Sequence, residues 1–207
     1  MIDIAQQIDA INRQVTIATV QGTESVVVTA ERQYPSEITD VWSALTDPER
    51  IRRWFMPISG DLTEGGQFQL EGNASGDILT CRPPEFLSVT FGAPDSVVEV
   101  RLSAAGEETL LTLEHRVPLA MAGSGAGAFY VGPGWDGALL ALALYADGIV
   151  AEDPVAAANT PEAQQFCARS VDAWQSVVEA SGTADQEAIA AGREVALAQF
   201  SPDLVGG

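Results

Sequence analysis

The chain has 207 residues, 46% of them hydrophobic and 19% charged, a composition typical of one globular domain with appendages rather than a disordered or membrane-embedded chain. Acidic residues number 29 and basic residues 10, which gives a net charge of −19, and every basic residue is an arginine. This balance argues against nucleic acid and anionic membrane surfaces as partners, and the lack of lysine excludes lysine Schiff-base chemistry.

The chain up to Tyr34 predicts a helix followed by a β-hairpin. Isoleucines recur at helical spacing within residues 1–12, and β-branched residues alternate on both sides of the turn QGTE at 21–24. On the second strand Arg32 shares a face with Val28 and Tyr34, which predicts that it points inward. An inward arginine needs an acceptor, a pocket mouth or a bound anion, or else it reaches water along its aliphatic stem.

Two short helices are predicted after the hairpin. Ser36 is the expected cap of a helix over 37–47, and Asp47 and Pro48 cap and open a second one, with Arg50 to Phe55 forming its body. This segment contains three arginines, Arg50, Arg52 and Arg53. We interpret this small basic patch as the solvated end of a helix.

Five amphipathic strands with short connections follow, from Gln67 to Val117, and they predict an antiparallel meander with one dry face. The stretch Gly134–Ala151 is apolar on nearly every side but too short and interrupted to span a bilayer, so it predicts a buried helix. Small residues alternate with aromatic ones along it. We therefore predict a two-layer α+β domain with a cavity between this helix and the sheet.

These motifs together resemble a known family. The run YPSEITDVWSALTDPERIRRWF, the paired glycines before QFQL, the strand TLLTLEH and the helix start GPGW are similar to the START-like (SRPBCC) superfamily, and within it to homologues of the activator of heat-shock-protein-90 ATPase. The resemblance covers roughly residues 13–150. It implies a helix-grip fold, in which a curved antiparallel sheet grips a long C-terminal helix and a cavity often binds an apolar small molecule. Its members include carriers, receptors and cyclases, so the fold does not determine the function.

The remaining segments are a connector and two helices. Residues 118–134 are rich in glycine and form either a long connector or a mobile flap with Phe129 and Tyr130 at its tip. Two further helices are predicted from Thr160 to Ala180 and from Asp185 to Phe200. We expect a START-like domain over 1–152 and a helical extension over 153–207, packed on the domain or on a partner copy.

Chemistry-bearing residues are few. His115 follows Leu111 and Leu113 at strand spacing, so it is either a satisfied buried histidine or a polar anchor in an apolar pocket. A catalytic triad would need a serine and an acid that the sequence does not indicate, and His115 stays the one catalytic candidate. One histidine and the separated Cys81 and Cys167 predict no metal site, no cofactor and no disulfide.

We therefore expect binding of a hydrophobic or aromatic small molecule in the cavity rather than catalysis. The expected ligand contacts are apolar walls with two polar groups: Arg32, Trp54, Phe68, Leu70, Val89, Phe91, Leu113, His115, Trp135, Leu142 and Tyr145. One alternative is a cyclase- or hydratase-like enzyme that uses His115, Arg32 or Tyr145 to polarise a carbonyl. Another is a protein-interaction module that activates a chaperone ATPase. We expect a cytoplasmic protein without a nucleic-acid or membrane partner, and a homodimer is left open.

Overall fold

A computed structural model describes residues 2–20 and 22–205 of the chain. The strands in this part of the chain are β1 (Asn12–Val20), β2 (Thr23–Tyr34), β3 (Ile58–Gly60), β4 (Gln67–Leu70), β5 (Ser75–Arg82), β6 (Phe86–Phe91), β7 (Ala93–Ala105) and β8 (Glu108–Pro118). The α-helices are α1 (Ile4–Asp9), α2 (Ile38–Thr46), α3 (Pro48–Ile51), α4 (Leu119–Ala122), α5 (Ala128–Ala146), α6 (Pro154–Ala157), α7 (Pro161–Ser181), α8 (Gln186–Phe200) and α9 (Pro202–Val205).

The eight strands form one open antiparallel sheet in the order β1-β2-β8-β7-β6-β5-β4-β3. With the long helix α5 and the additional helices α7 and α8, this sheet confirms the predicted α+β class and helix-grip fold. The five strands predicted from Gln67 onward correspond to β4–β8, whereas the three-residue strand β3 was not predicted. None of the helices within residues 2–20 and 22–205 combines the length and the apolar composition that a membrane span requires.

Several helix ends follow the signals that the sequence predicts. The Asp47 carboxylate accepts a hydrogen bond of 2.9 Å from the Glu49 amide, with Pro48 in the first turn of α3. The Thr160 hydroxyl caps α7, and Gly182 ends that helix with a φ of 66°, a left-handed conformation that favours glycine. Caps of this kind satisfy backbone groups that the helix leaves without partners.

Two local expectations are wrong. Glu37, not Ser36, occupies the N-cap of α2, and its side chain makes no capping bond. Helix α3 ends at Ile51 instead of continuing to Phe55, and residues 52–54 form turns.

The long helix also differs from its prediction, since α5 runs Ala128–Ala146 instead of Gly134–Ala151. The predicted connector contains α4, a short 3-10 turn and the start of α5. Phe129 has no solvent exposure, and a Cβ on Gly192 would lie 2.8 Å from its ring. The flap interpretation is therefore wrong for Phe129. Glycines and Pro133 made this segment look non-helical, but tertiary packing outweighs their low helix propensity.

The chain divides into two compact units. The first contains the residues up to Ala30, Arg116–Leu140 and the residues from Ala157 onward, and the second contains Glu31–His115 and Ala141–Ala156. The predicted division into a domain of 1–152 and an extension of 153–207 stays a prediction.

The first unit is organised around a buried carboxylate. Asp136 on α5 has no solvent exposure, and its Oδ2 accepts a hydrogen bond of 2.8 Å from Arg13 Nε on β1. Two groups on α7 donate to the same oxygen, the Ser170 hydroxyl at 2.5 Å and Trp174 Nε1 at 3.0 Å. Arg13 is also buried, and its Nη1 donates to the carbonyls of Ile8 and Ile11. The carboxylate thus joins three segments that are distant in the sequence.

Close packing accompanies this network. A Cβ on Gly132 would lie 2.5 Å from the Trp174 indole, so only glycine fits where α5 meets α7. Burial raises the pKa of the Asp136 carboxyl, and the Arg13 guanidinium beside it opposes that rise. A carboxylate and a guanidinium removed from water are stable only together, because either alone would be a buried charge without compensation.

We expect Asp136→Asn to lower the free energy of unfolding by about 3–5 kcal/mol, because it leaves the Arg13 cation buried without a counter-charge. Denaturant unfolding monitored by circular dichroism measures this loss. The matched control is Asp172→Asn, which removes an exposed ion pair with Arg193 and should cost at most about 1 kcal/mol. Equal small losses for the two variants would contradict a dominant role for the buried pair.

Candidate functional site

Ten of the eleven predicted contact residues lie in the second compact unit. Trp135 is the exception, because it belongs to the first unit, where it is partly buried. The ten residues come from the sheet, from the turn after α3 and from the last turns of α5: Arg32, Trp54, Phe68, Leu70, Val89, Phe91, Leu113, His115, Leu142 and Tyr145. The site can therefore be described within this unit alone.

One side of strands β4–β6 carries an apolar surface. Phe68, Leu70 and Ile78 are buried there as a cluster, and Leu87, Val89 and Phe91 of β6 pack against it while remaining partly exposed. We call these six residues the apolar face. The register supports the shared side, because Ile78 lies opposite Val89 in the β5–β6 pair. The Phe68 and Phe91 rings lie 6.3 Å apart between centroids.

The burial pattern along β6 is unusual for a strand in the interior of a sheet. The apolar residues Leu87, Val89 and Phe91 keep access to solvent, whereas Ser88 and Thr90, on the opposite side, are buried. Apolar side chains normally occupy the better-covered side of a strand. The apolar face is therefore incompletely covered by the rest of its own unit.

A buried polar pair lies beside the apolar face. Ser96 on β7 and His115 on β8 are 6% and 3% exposed, and the Ser96 hydroxyl is 2.8 Å from His115 Nε2. The Phe91 ring meets the imidazole edge-on, with 5.9 Å between centroids. Burial lowers the pKa of His115 from 6.5 to about 4, so the imidazole is neutral at neutral pH. A neutral imidazole offers one donor and one acceptor.

The second polar group that the sequence singled out is also buried. Arg32 is 7% exposed, as its strand position predicted, and its guanidinium carbon lies 5.8 Å from the centroid of the Tyr34 ring. Tyr34 is fully buried, which raises the pKa of its phenol, and the nearby Arg32 cation partly opposes this rise. The phenol is therefore protonated at neutral pH.

Tyr145, on the last turn of α5, lies within a group of arginines that the sequence analysis assigned to helix solvation. Arg50 Nε donates a hydrogen bond of 3.1 Å to the Tyr145 hydroxyl. The guanidinium carbons of Arg50 and Arg53 lie 5.4 and 5.5 Å from the Tyr145 ring centroid. Tyr145 therefore contacts two cations, a setting that the sequence did not predict.

The Trp54 side chain links the turn after α3 to helix α2. Its Nε1 donates a hydrogen bond of 3.0 Å to the Ala44 carbonyl, and its ring stacks on Phe55 with 5.4 Å between centroids. Phe55 in turn packs against the apolar face. The turn after α3 is thereby connected to that face.

A separate pocket of about 470 Å³ lies at strands β3–β7, and of the predicted residues only Phe68 lines it. Three of the polar residues that line it, Gln67, Asp77 and Thr90, are hydrogen-bonded to one another. The Gln67 amide donates to the Asp77 carboxylate, and the Asp77 amide donates to the Thr90 hydroxyl, each at 2.7 Å. These groups are therefore committed to structural bonds.

Metal-binding and thiol chemistry find little support in the described residues. No group of three histidine, cysteine, aspartate or glutamate side chains converges within residues 2–20 and 22–205. Cys81 and Cys167 are free thiols. Burial raises the pKa of Cys167 to about 11 and also raises that of Cys81, so both thiols are protonated at neutral pH.

Sequence reasoning missed two groups of this site, Ser96 and the Arg50–Arg53 pair. Ser96 shares a strand face with Val98, which is a usable signal. Its pairing with His115, however, depends on the register between β7 and β8, and strand spacing alone does not reveal register.

Comparisons with known proteins identify the relatives of the chain. Residues 35–147 match the family model described as "Activator of Hsp90 ATPase homolog 1-like protein". The crystal structure of CalU16 from Micromonospora echinospora is 38% identical, with 82% of this chain and 99% of that chain covered and a TM-score of 0.67. The solution structure of the same protein gives 38% identity, coverages of 83% and 97%, and a TM-score of 0.69.

A third solved structure, a Bordetella parapertussis protein encoded by gene BPP1335, is 25% identical, with 79% of this chain and 90% of that chain covered and a TM-score of 0.52. No curated protein matches the chain. The family model covers more than half of the chain, and CalU16 is aligned over nearly its whole length. The chain therefore belongs to the family of Activator of Hsp90 ATPase homolog 1-like proteins.

Proposed function

We propose that the protein binds a hydrophobic or aromatic small molecule on the apolar face, with His115 and Arg32 as the polar contacts. The observation that carries this proposal is the partial exposure of Leu87, Val89 and Phe91 beside the buried Ser96–His115 pair. An uncovered apolar surface with a few convergent polar groups is typical of small-molecule sites. Membership of a family with a ligand-binding fold supports the same conclusion.

The apolar face can supply enough binding energy for a small ligand. Covering roughly 400 Å² of apolar surface, summed over ligand and protein, contributes about 10 kcal/mol at 25 cal/mol per Å². Losses of rotational and translational freedom offset several kcal/mol of that amount. If about 4 kcal/mol is lost in this way, the remaining ~6 kcal/mol corresponds to dissociation constants on the order of tens of micromolar for an aromatic compound with two rings.

The polar groups favour particular ligand chemistry. The Ser96–His115 pair, whose imidazole is neutral, can exchange its hydrogen bond for one to a ligand carbonyl or hydroxyl, and the Arg32 cation lies on the same strand face as Tyr34. Both groups are already buried, so a ligand that bonds to them loses little further hydration on the protein side. A ligand with one carbonyl or phenol group on an apolar body fits this arrangement.

A cyclase- or hydratase-like activity is the second candidate, because the Ser96–His115 hydrogen bond places a hydroxyl beside an imidazole. Two observations make it less favourable. A histidine with a pKa of about 4 is a weak general base at neutral pH. The Tyr145 hydroxyl already accepts a hydrogen bond from Arg50. Chaperone ATPase activation, which the family description suggests, and a homodimer remain alternatives to be tested separately.

Binding is tested with N-phenyl-1-naphthylamine, an uncharged aromatic probe whose fluorescence rises in apolar surroundings. We expect a dissociation constant on the order of tens of micromolar for the native protein and at least a tenfold weaker one for Val89→Glu, because the new carboxylate must stay hydrated. The control is Val195→Glu, the same change at a valine that is 46% exposed on α8. A milder variant, Val89→Thr, keeps nearly the shape of valine, so it should retain the fold. It should weaken binding less than Val89→Glu does.

Thermal unfolding of each variant checks that the folded state is retained. No fluorescence enhancement with the native protein would overturn the proposal. Equal weakening by the Val89→Glu and Val195→Glu changes would show that the probe binds elsewhere and would overturn it as well.

The buried neutral state of His115 predicts a pH dependence of stability. Its folded pKa of about 4 lies below its ordinary value of 6.5, so between these pH values the unfolded chain binds the extra proton. Stability from this group is present above pH 6.5 and is lost as the pH falls to 4. The slope should approach about 1.4 kcal/mol per pH unit relative to His115→Gln.

Urea unfolding of the native protein and the His115→Gln variant at several pH values measures this difference. Since His115 is the only histidine, no other imidazole contributes. Parallel stability curves for the two proteins would mean that the imidazole stays accessible to protons in the folded state, contrary to a buried anchor.

A further inference from the structure

The arginines near Tyr145 differ in how their charges are compensated. Arg50 Nη1 bonds to the Asp40 carboxylate at 2.8 Å, and Arg52 pairs with Glu49. Arg53 makes a cation–π contact with Tyr145, and within residues 2–20 and 22–205 it forms no ion pair. Arg53 is an exposed residue, which allows a ligand to approach it from solvent.

The charge around the Tyr145 ring is therefore unbalanced. Two guanidinium groups, those of Arg50 and Arg53, lie within 5.5 Å of one ring centroid, and the Asp40 carboxylate compensates one of them. The positive charge of the other guanidinium contrasts with the net charge of −19 that the whole chain carries. Such a chain repels free anions over most of its surface, so a local cation is a place where an anion can dock selectively.

Arg53 is linked to the apolar face by the next two residues of the chain. Trp54 follows Arg53 and stacks on Phe55, which packs against the cluster of Phe68, Leu70 and Ile78. The turn after α3 thus carries Arg53, which forms no ion pair within the described residues, and two residues later Phe55, which packs against the apolar cluster. A molecule with an apolar body and one charged end matches both features.

We propose that the ligand of the apolar face is an anion, an apolar molecule with one acidic group that the Arg53 guanidinium binds while the Tyr145 ring holds that guanidinium in place. This inference rests on the proposed function and specifies its ligand class. A planar guanidinium binds a carboxylate, sulfonate or phosphate through two parallel hydrogen bonds, which gives direction as well as attraction. Arg50 keeps Tyr145 in position through its bond to the phenol oxygen.

The test uses two probes that share one aromatic skeleton. 8-Anilinonaphthalene-1-sulfonate carries a sulfonate, and N-phenyl-1-naphthylamine is the same skeleton without it. We expect Arg53→Gln to weaken binding of the sulfonate about fivefold or more at low salt and to change binding of the uncharged probe less than twofold. The control is Arg169→Gln, which removes the same charge from an exposed arginine on α7 and should leave both affinities unchanged.

The outcomes separate the two proposals. If the uncharged probe binds but Arg53→Gln leaves the sulfonate affinity unchanged, or Arg169→Gln weakens it equally, the acidic ligand class is overturned while the apolar site stands. If neither probe binds to the native protein, the proposed function fails and this inference fails with it. Arg53→Lys should retain part of the sulfonate affinity, since a point charge keeps the attraction but loses the paired hydrogen bonds.

Discussion

A carboxylate without any access to water holds together the first compact unit. Asp136 receives three hydrogen bonds on one oxygen, and their donors come from β1 and α7. Burying such a charge is unfavourable unless partners surround it, so the three segments must be assembled together or not at all. The indole of Trp174 and the missing side chain of Gly132 complete the close approach of α5 and α7. Helix α7 is thereby an integral part of this unit.

The second unit also buries polar groups, and it leaves some apolar side chains partly exposed. Its buried positions include His115, Ser96 and Arg32, while apolar side chains of β6 keep partial access to solvent. Ser96 and His115 bond to each other, yet removing them from water still costs free energy, and exposed apolar side chains contribute to stability only when something covers them. Proteins accept such departures from ordinary folding preferences chiefly where function requires them. The proposed ligand site lies where these departures coincide.

Strand periodicity and capping signals were sufficient to predict much of this structure. The two-residue repeat placed Arg32 and His115 in buried positions, and Asp47 and Thr160 marked the starts of α3 and α7. What could not be predicted depends on contacts between distant segments. The start of α5 was missed because glycines and Pro133 oppose a helix locally, and packing reverses that preference. Asp136 looked like an interruption of an apolar helix, since its partners lie on other segments.

The surroundings of Trp174 have an optical consequence. The indole is fully buried and bonded to a carboxylate, whereas Trp42 is 9% exposed and Trp54 and Trp135 are partly exposed. Emission from an indole depends on the polarity and mobility of the groups around it. Trp174 is therefore an intrinsic spectroscopic reporter of the docking of α7, present without any label.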